Sequence, residues 1–148
     1  MVHVAEILNV KRDTANVSVD ASATVLDAVQ KMADADIGAV LITDNKSVVG
    51  IFTERDYARK GEIAGRVASK TPVREVMVEQ MLTVKRNTTV DQCLALMKQN
   101  RIRHLPVVED DKLIGIISMR DVMFASIAHR ESEIRGLENF LTGSGFQS

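Results

Sequence analysis

Cysteine is nearly absent from this chain. Cys93 stands alone among 148 residues, so no intramolecular disulfide can form and no multi-cysteine metal site exists. Tryptophan is missing and aromatics make up 3%, which leaves Val, Ile, Leu, Met and Ala to fill a core. An excess of either charge is lacking too. The 19 basic and 20 acidic residues nearly cancel, to −1, whereas a nucleic-acid binder carries a basic excess or stripe and a polybasic membrane anchor a cluster of cations. No apolar run approaches the roughly 18 residues of a membrane span. The residues after Met1 include Glu6 and Asn9 where a signal peptide would be apolar. These absences set the expectation of a soluble, cytoplasmic protein with neither a nucleic-acid nor a membrane partner. His3 and His129 have no companion ligands at metal spacing, so no metal is assigned.

What is present is a real core fraction, 45% hydrophobic, in a length that suits one domain or two small halves sharing a core. The halves show themselves as a repeat. Residues 17–56 slide onto 82–121 without a gap, with nine identical pairs: Val19/Val84, Thr24/Thr89, Val25/Val90, Met32/Met97, Ile37/Ile102, Gly50/Gly115, Ile51/Ile116, Arg55/Arg120 and Asp56/Asp121. An ungapped register that also preserves the apolar pattern is a duplication.

Both copies follow one grammar. Thr24…Asp27 and Thr89…Gln92 are capping boxes or near variants, and predict helices with Val25, Ala28, Val29 and Met32, or Val90, Cys93, Leu94 and Met97, on the buried face. Short apolar runs at 39–43 and 105–108 predict strands, polar turns follow at 44–46 and 109–112, and second strands run over 48–52 and 113–117. Helices start near Glu54 and Met119. Each unit reads β-α-β-β-α, with Pro106 forcing an edge or an irregularity. A short helical segment leads into each copy: residues 4–8, and residues 72–77 with Thr71 as N-cap and Pro72 at the first helical position. A longer last helix is expected to about Leu141, striped by Ile127, Ile134, Leu137 and Leu141, with a frayed tail over 142–148. By chain order the division is 1–62 for the first repeat with its lead-in, 63–128 for the second, and 129–148 for the last helix and tail.

The repeated string is Gly50-Ile-Phe-Thr-Glu-Arg-Asp56 and Gly115-Ile-Ile-Ser-Met-Arg-Asp121. A strand ending in a hydroxyl, with a carboxylate three positions later across a turn, suits the gripping of a sugar diol. With Arg103-His104-Leu105-Pro106-Val107 beside it, the chain resembles a tandem pair of CBS (cystathionine-β-synthase-type) domains, a Bateman module, over about residues 1–128. More narrowly it is similar to small stand-alone bacterial CBS-pair signalling proteins. The resemblance implies an α/β (α+β) fold of two pseudo-symmetric repeats packed sheet to sheet, two clefts between them, and adenosine-containing ligands such as AMP, ADP, ATP, NAD or S-adenosylmethionine in one or both.

The same resemblance assigns roles. Asp56 and Asp121 match aspartates that accept hydrogen bonds from ribose hydroxyls, with Thr53 and Ser118 near the ribose or phosphate. An acidic residue at a helix start is also a common cap, and a hydroxyl there also bonds the local backbone; the roles can coexist. Arg103 and His104 replace Gly38 and Ala39 and match basic residues that reach phosphates, where Arg can fork onto oxygens and a protonated His adds charge. The implied first cleft holds Thr53 and Asp56 with Leu82, Ile102, Arg103 and His104. The second holds Ser118 and Asp121 with Val17, Ile37, Gly38 and Ala39. Arg55 and Arg120 adjoin the aspartates, and with Arg59 and Lys60 could neutralise a di- or triphosphate or serve as surface charges. The expectation is a non-catalytic adenine-nucleotide sensor of energy or redox state, acting as a homodimer on an unknown protein effector in trans. No Walker-type loop or metal cluster supports an enzyme. The alternatives are a structural dimer with empty clefts and, behind it, a nucleotide-processing enzyme.

Overall fold

The structure, a computed structural model, describes residues 1–11 and 17–142; the tail expected after Thr142 lies outside the described residues. Helix α1 (Val4–Val10) is followed by strand β1 (Ser18–Asp20), α2 (Val25–Ala35), β2 (Ala39–Asp44), β3 (Ser47–Thr53) and a short α3 (Glu54–Asp56), which runs on as a π-helical turn over Tyr57–Glu62. The second repeat supplies α4 (Val90–Asn100), β4 (His104–Glu109), β5 (Lys112–Ser118) and a continuous α5 (Met119–Thr142).

The duplication holds down to local geometry. Both capping boxes form, Thr24 with Asp27 and Thr89 with Gln92. Both helices end on a left-handed residue, Asp36 and Arg101. Both hairpins turn through two residues at positive φ, Asn45-Lys46 and Asp110-Asp111, whose twist matches that of the strands they join. Both strand pairs shift register at the same place, between Ile42 and Thr43 and between Val107 and Val108.

The cores do not follow chain order. Val4 and Ile7 of α1 are buried with Val90, Cys93, Met97, Leu105 and Ile117 of the second repeat. Conversely Val73, Val76 and Met77, which precede the second repeat, are buried with Val25, Ala28, Met32, Val40 and Phe52 of the first. Each lead-in thus closes the other half. A third cluster, with Val17, Ala39, Leu41, Ile51 and Ile116 at its centre, joins the two sheets face to face.

Two expectations change. The first repeat has three strands in the order β1-β2-β3, but the second has only β4-β5, its would-be first strand reduced to one parallel bridge between Val84 and Val107. Two changes account for this. The counterpart of Pro106, Leu41, donates its N–H to Val17 O at 2.8 Å, whereas Pro106 has no N–H to give, so pairing is lost before Val84; beyond it, Arg86 N–H donates to Glu109 Oε1 at 2.8 Å where its counterpart Ala21 continues the ladder to Thr43 O. The second lead-in is a single 3₁₀ turn (Val73–Glu75) with extended Pro72 before it rather than inside it, and the Thr71 hydroxyl donates to Val67 O at 2.8 Å instead of capping.

Gly50 is required by this crossing of lead-ins. A Cβ there would sit 2.6 Å from Met77 Sδ and 3.0 Å from Val78 O, where Val78 bridges to Ile51. Gly50→Ala is therefore expected to lower stability by about 1–3 kcal/mol, the usual cost of overpacking, measured as a lower urea midpoint with an unchanged m-value.

Candidate functional site

Each aspartate of the repeated string is held by the hinge that it closes. Thr53 is the N-cap of α3: its Oγ1 accepts from Asp56 N–H at 3.1 Å, while Asp56 Oδ2 accepts from Thr53 N–H at 3.1 Å and from the Thr53 hydroxyl at 3.0 Å. The second copy repeats this, with Asp121 N–H donating to Ser118 Oγ at 3.1 Å and Ser118 N–H to Asp121 Oδ2 at 2.8 Å. The cap is therefore the hydroxyl residue, and the aspartate is its reciprocal partner. Capping fixes the carboxylate without using all its lone pairs, so the capped aspartate keeps acceptor capacity.

A cleft of about 830 Å³ opens in front of the first copy, lined by Thr53, Asp56, Leu82, Ile102, Arg103 and His104, and also by Glu54, Arg55, Arg59, Lys60, Gln80, Met81 and Arg101. Five cationic side chains against two carboxylates make its wall basic. Lys60 Nζ lies 3.7 Å from Asp56 Oδ1, and Arg55 donates to Arg101 O at 3.2 Å. The hinge and the opposite wall are tied to their own halves alike: Glu54 N–H donates to Gly38 O and Met119 N–H to Arg103 O, at 3.1 and 2.7 Å.

The residues assigned to the second cleft do not come together in the same way. Gly38 lines the first cleft, with its α-carbon facing the His104 ring. Val17 and Ala39 are buried in the cluster between the sheets, and Ile37 borders a separate hollow of about 470 Å³ with Tyr57 and Glu54. Ser118 and Arg120 border a groove of about 440 Å³ with Met123, Phe124, Arg103 and His104, and Arg120 stacks on the Phe124 ring with 5.5 Å to its centroid. Asp121 itself is engaged by Lys11, whose Nζ donates to Asp121 Oδ2 at 2.8 Å and to Ile116 O at 2.9 Å. Lys11 was not legible beforehand. It precedes the repeat, and only the fold carries α1 across to the second half.

His104 corrects the expectation of a protonated imidazole. Burial chiefly, then the positive charges of Lys11 and Arg103, push it below its ordinary value against the opposing pull of Asp121, so it is neutral at pH 7. Asp121 is held below the usual carboxylate range although burial opposes this, because Lys11 and Ser118 hydrogen-bond to the ionised form. Cys93 is fully buried and its thiol is pushed up to about 11 by desolvation, which fits inert packing rather than redox sensing.

A group whose folded pKa is depressed binds fewer protons folded than unfolded. His104 therefore contributes stability that is complete above its ordinary value near 6.5 and is lost as pH falls below it. Thermal melts of wild type and His104→Gln between pH 7.5 and 5 are expected to show a smaller acid-side loss in the variant.

Comparison with known proteins agrees with this geometry. The CBS domain family matches the chain twice, over residues 4–62 and 73–128. The solved structure of a CBS-domain protein from Burkholderia ambifaria superposes with a TM-score of 0.82 at 41% identity, covering 85% of this chain and 94% of that one. A CBS-domain containing protein from Agrobacterium tumefaciens gives 0.73 at 34% identity, over 84% of this chain and 98% of that one. The curated Arabidopsis thaliana relative, CBS domain-containing protein CBSX3, is 37% identical over 125 residues, which is 81% of this chain but only 61% of the plant protein. No helix among the described residues is long and apolar enough to cross a membrane. With a family match on each of two repeats, duplicated hinges and relatives of the same fold, the chain belongs to the CBS-domain family and is built as a tandem pair.

Proposed function

We propose that the cleft between Asp56 and Arg103 binds an adenine nucleotide (AMP, ATP or NAD) and that the protein is a non-catalytic sensor of energy or redox state. One observation carries this reading: a capped, largely buried carboxylate shares the lining of one roomy cleft with five cationic side chains. The carboxylate suits the paired hydroxyls of ribose, and the cations suit phosphate. Neutral His104 can donate one hydrogen bond and gains charge when a phosphate arrives. Tandem CBS domains are commonly regulatory.

The output runs through α5. A ligand that draws on Arg103 pulls a residue whose carbonyl holds the first N–H of α5, so its differential affinity for two settings of that contact shifts their populations. Every residue from Arg130 to Leu141 is exposed, and an isolated helix of this length is marginal in water. Ile127, Ile134, Leu137 and Leu141, all exposed, recur at close to heptad spacing and suit a helix pair in a homodimer, which presents the nucleotide state to a protein effector in trans.

Calorimetric titration with AMP, ATP, NAD and S-adenosylmethionine is expected to give binding that Asp56→Ala weakens about ten- to a hundredfold, the worth of a charge-assisted bond. Arg103→Ala should cost ATP more than AMP. Silence from all four ligands overturns the reading. Sedimentation equilibrium is expected to show a dimer that Leu137→Asp converts to monomer.

A further inference from the structure

The two aspartate grips are chemically alike but differently occupied. In the first repeat the backbone N–H of Val78 donates to Ile51 O at 2.8 Å, and the nearest ammonium to Asp56, that of Lys60, stays 3.7 Å away on a side chain 44% exposed. In the second repeat the matching carbonyl, Ile116 O, and the matching carboxylate, Asp121, both receive hydrogen bonds from Lys11 Nζ. We propose that Lys11 acts as a built-in occupant of the second diol grip, so that each chain takes one adenine nucleotide, in the first cleft, and the second grip opens only when Lys11 leaves. The proposal rests on the nucleotide reading above.

An ammonium is a donor-only group with three hydrogens. It offers Asp121 what a ribose diol would offer, with a full charge added, and charge-assisted bonds are the stronger kind. The lysine is delivered to this place. It is the first residue after α1, its own N–H donates to Ile7 O at 3.0 Å, and α1 is pinned to the second repeat by Val4 N–H on Thr88 O, Ala5 N–H on Arg86 O and the buried Val4 and Ile7. The ion pair is about three-quarters buried at both side chains, a setting less screened than a surface pair. The residues beside this grip reinforce the effect, since Val17 and Ala39 are packed into the sheet-to-sheet cluster while Gly38, the small residue that could admit a ligand, lies on the first cleft. Among the described residues no lysine of the lead-in reaches Asp56 on the first side, where that segment ends in the Val78 strand bridge; Lys60, from the hinge's own helical segment, makes only the longer 3.7 Å ion pair and a 3.5 Å bond to Val76 O.

The test is calorimetric stoichiometry on the full chain with AMP and with ATP. Wild type is expected to bind one nucleotide per chain, lost in Asp56→Ala and retained in Asp121→Ala. Lys11→Met, which keeps the aliphatic stem and removes the charge, is expected to bind two, the second lost when Asp121→Ala is added. Two nucleotides on wild type, or one on a Lys11→Met protein that melts as a folded chain, would overturn the inference while leaving the nucleotide reading intact. If neither nucleotide binds wild type or Lys11→Met, the nucleotide reading fails and this inference with it. Should Lys11→Met not fold, Lys11→Gln keeps a donor for Ile116 O without the charge, and the same counts decide.

Discussion

Each half of this molecule is closed by a piece of chain that precedes the other half in sequence. Val4 and Ile7 seal the second core and Val73, Val76 and Met77 seal the first. Everything at the functional surface depends on that exchange. It requires a glycine at position 50, where Met77 and Val78 pass over the strand. It carries Lys11 to Asp121. It also brings Gln80, Met81 and Leu82, which continue the second lead-in, to the wall of the cleft in front of Asp56. Neither repeat owns a complete core, so burial of apolar area, the dominant favourable contribution to folding, is available only to the pair.

From two nearly identical hinges the fold makes two unequal places. The Thr53–Asp56 and Ser118–Asp121 boxes share the two reciprocal backbone bonds, and the Thr53 hydroxyl adds a third in the first. What differs is what faces them. Arg103 and His104 stand where the first repeat has Gly38 and Ala39, adding one cation and an imidazole to the first cleft. Lys11 holds the second carboxylate ionised by contact rather than by exposure. A duplicated fold with diverged surroundings makes two chemically different places from one motif, and the bond from Met119 N–H to Arg103 O links the wall of the first cleft to the long helix.

Much of this was legible in the sequence. The repeat register predicted both capping boxes, both hairpins, the buried faces of α2 and α4, the basic first cleft and the irregularity at Pro106, because these depend on local chemistry that recurs at fixed spacing: a hydroxyl three residues before a carboxylate or amide, two turn residues between apolar runs, an imino acid without an N–H. The misplacements share a cause. Thr71 and Pro72 carry the signs of a helix start, yet tertiary packing of Val73 and Val76 holds that segment to a single turn. The resemblance placed Gly38 in the second cleft, but it lines the first, beside Glu54 and the His104 ring.

The sequence by itself determined the duplication, the order of elements and the two hydroxyl–carboxylate hinges, since each follows from interactions within about ten residues. The tertiary structure alone decided which lead-in closes which core, that the His104 imidazole is pushed below its ordinary value, and that Lys11 lies on Asp121. Those outcomes depend on burial and on charges brought together from more than a hundred residues apart, and no local pattern encodes such a distance.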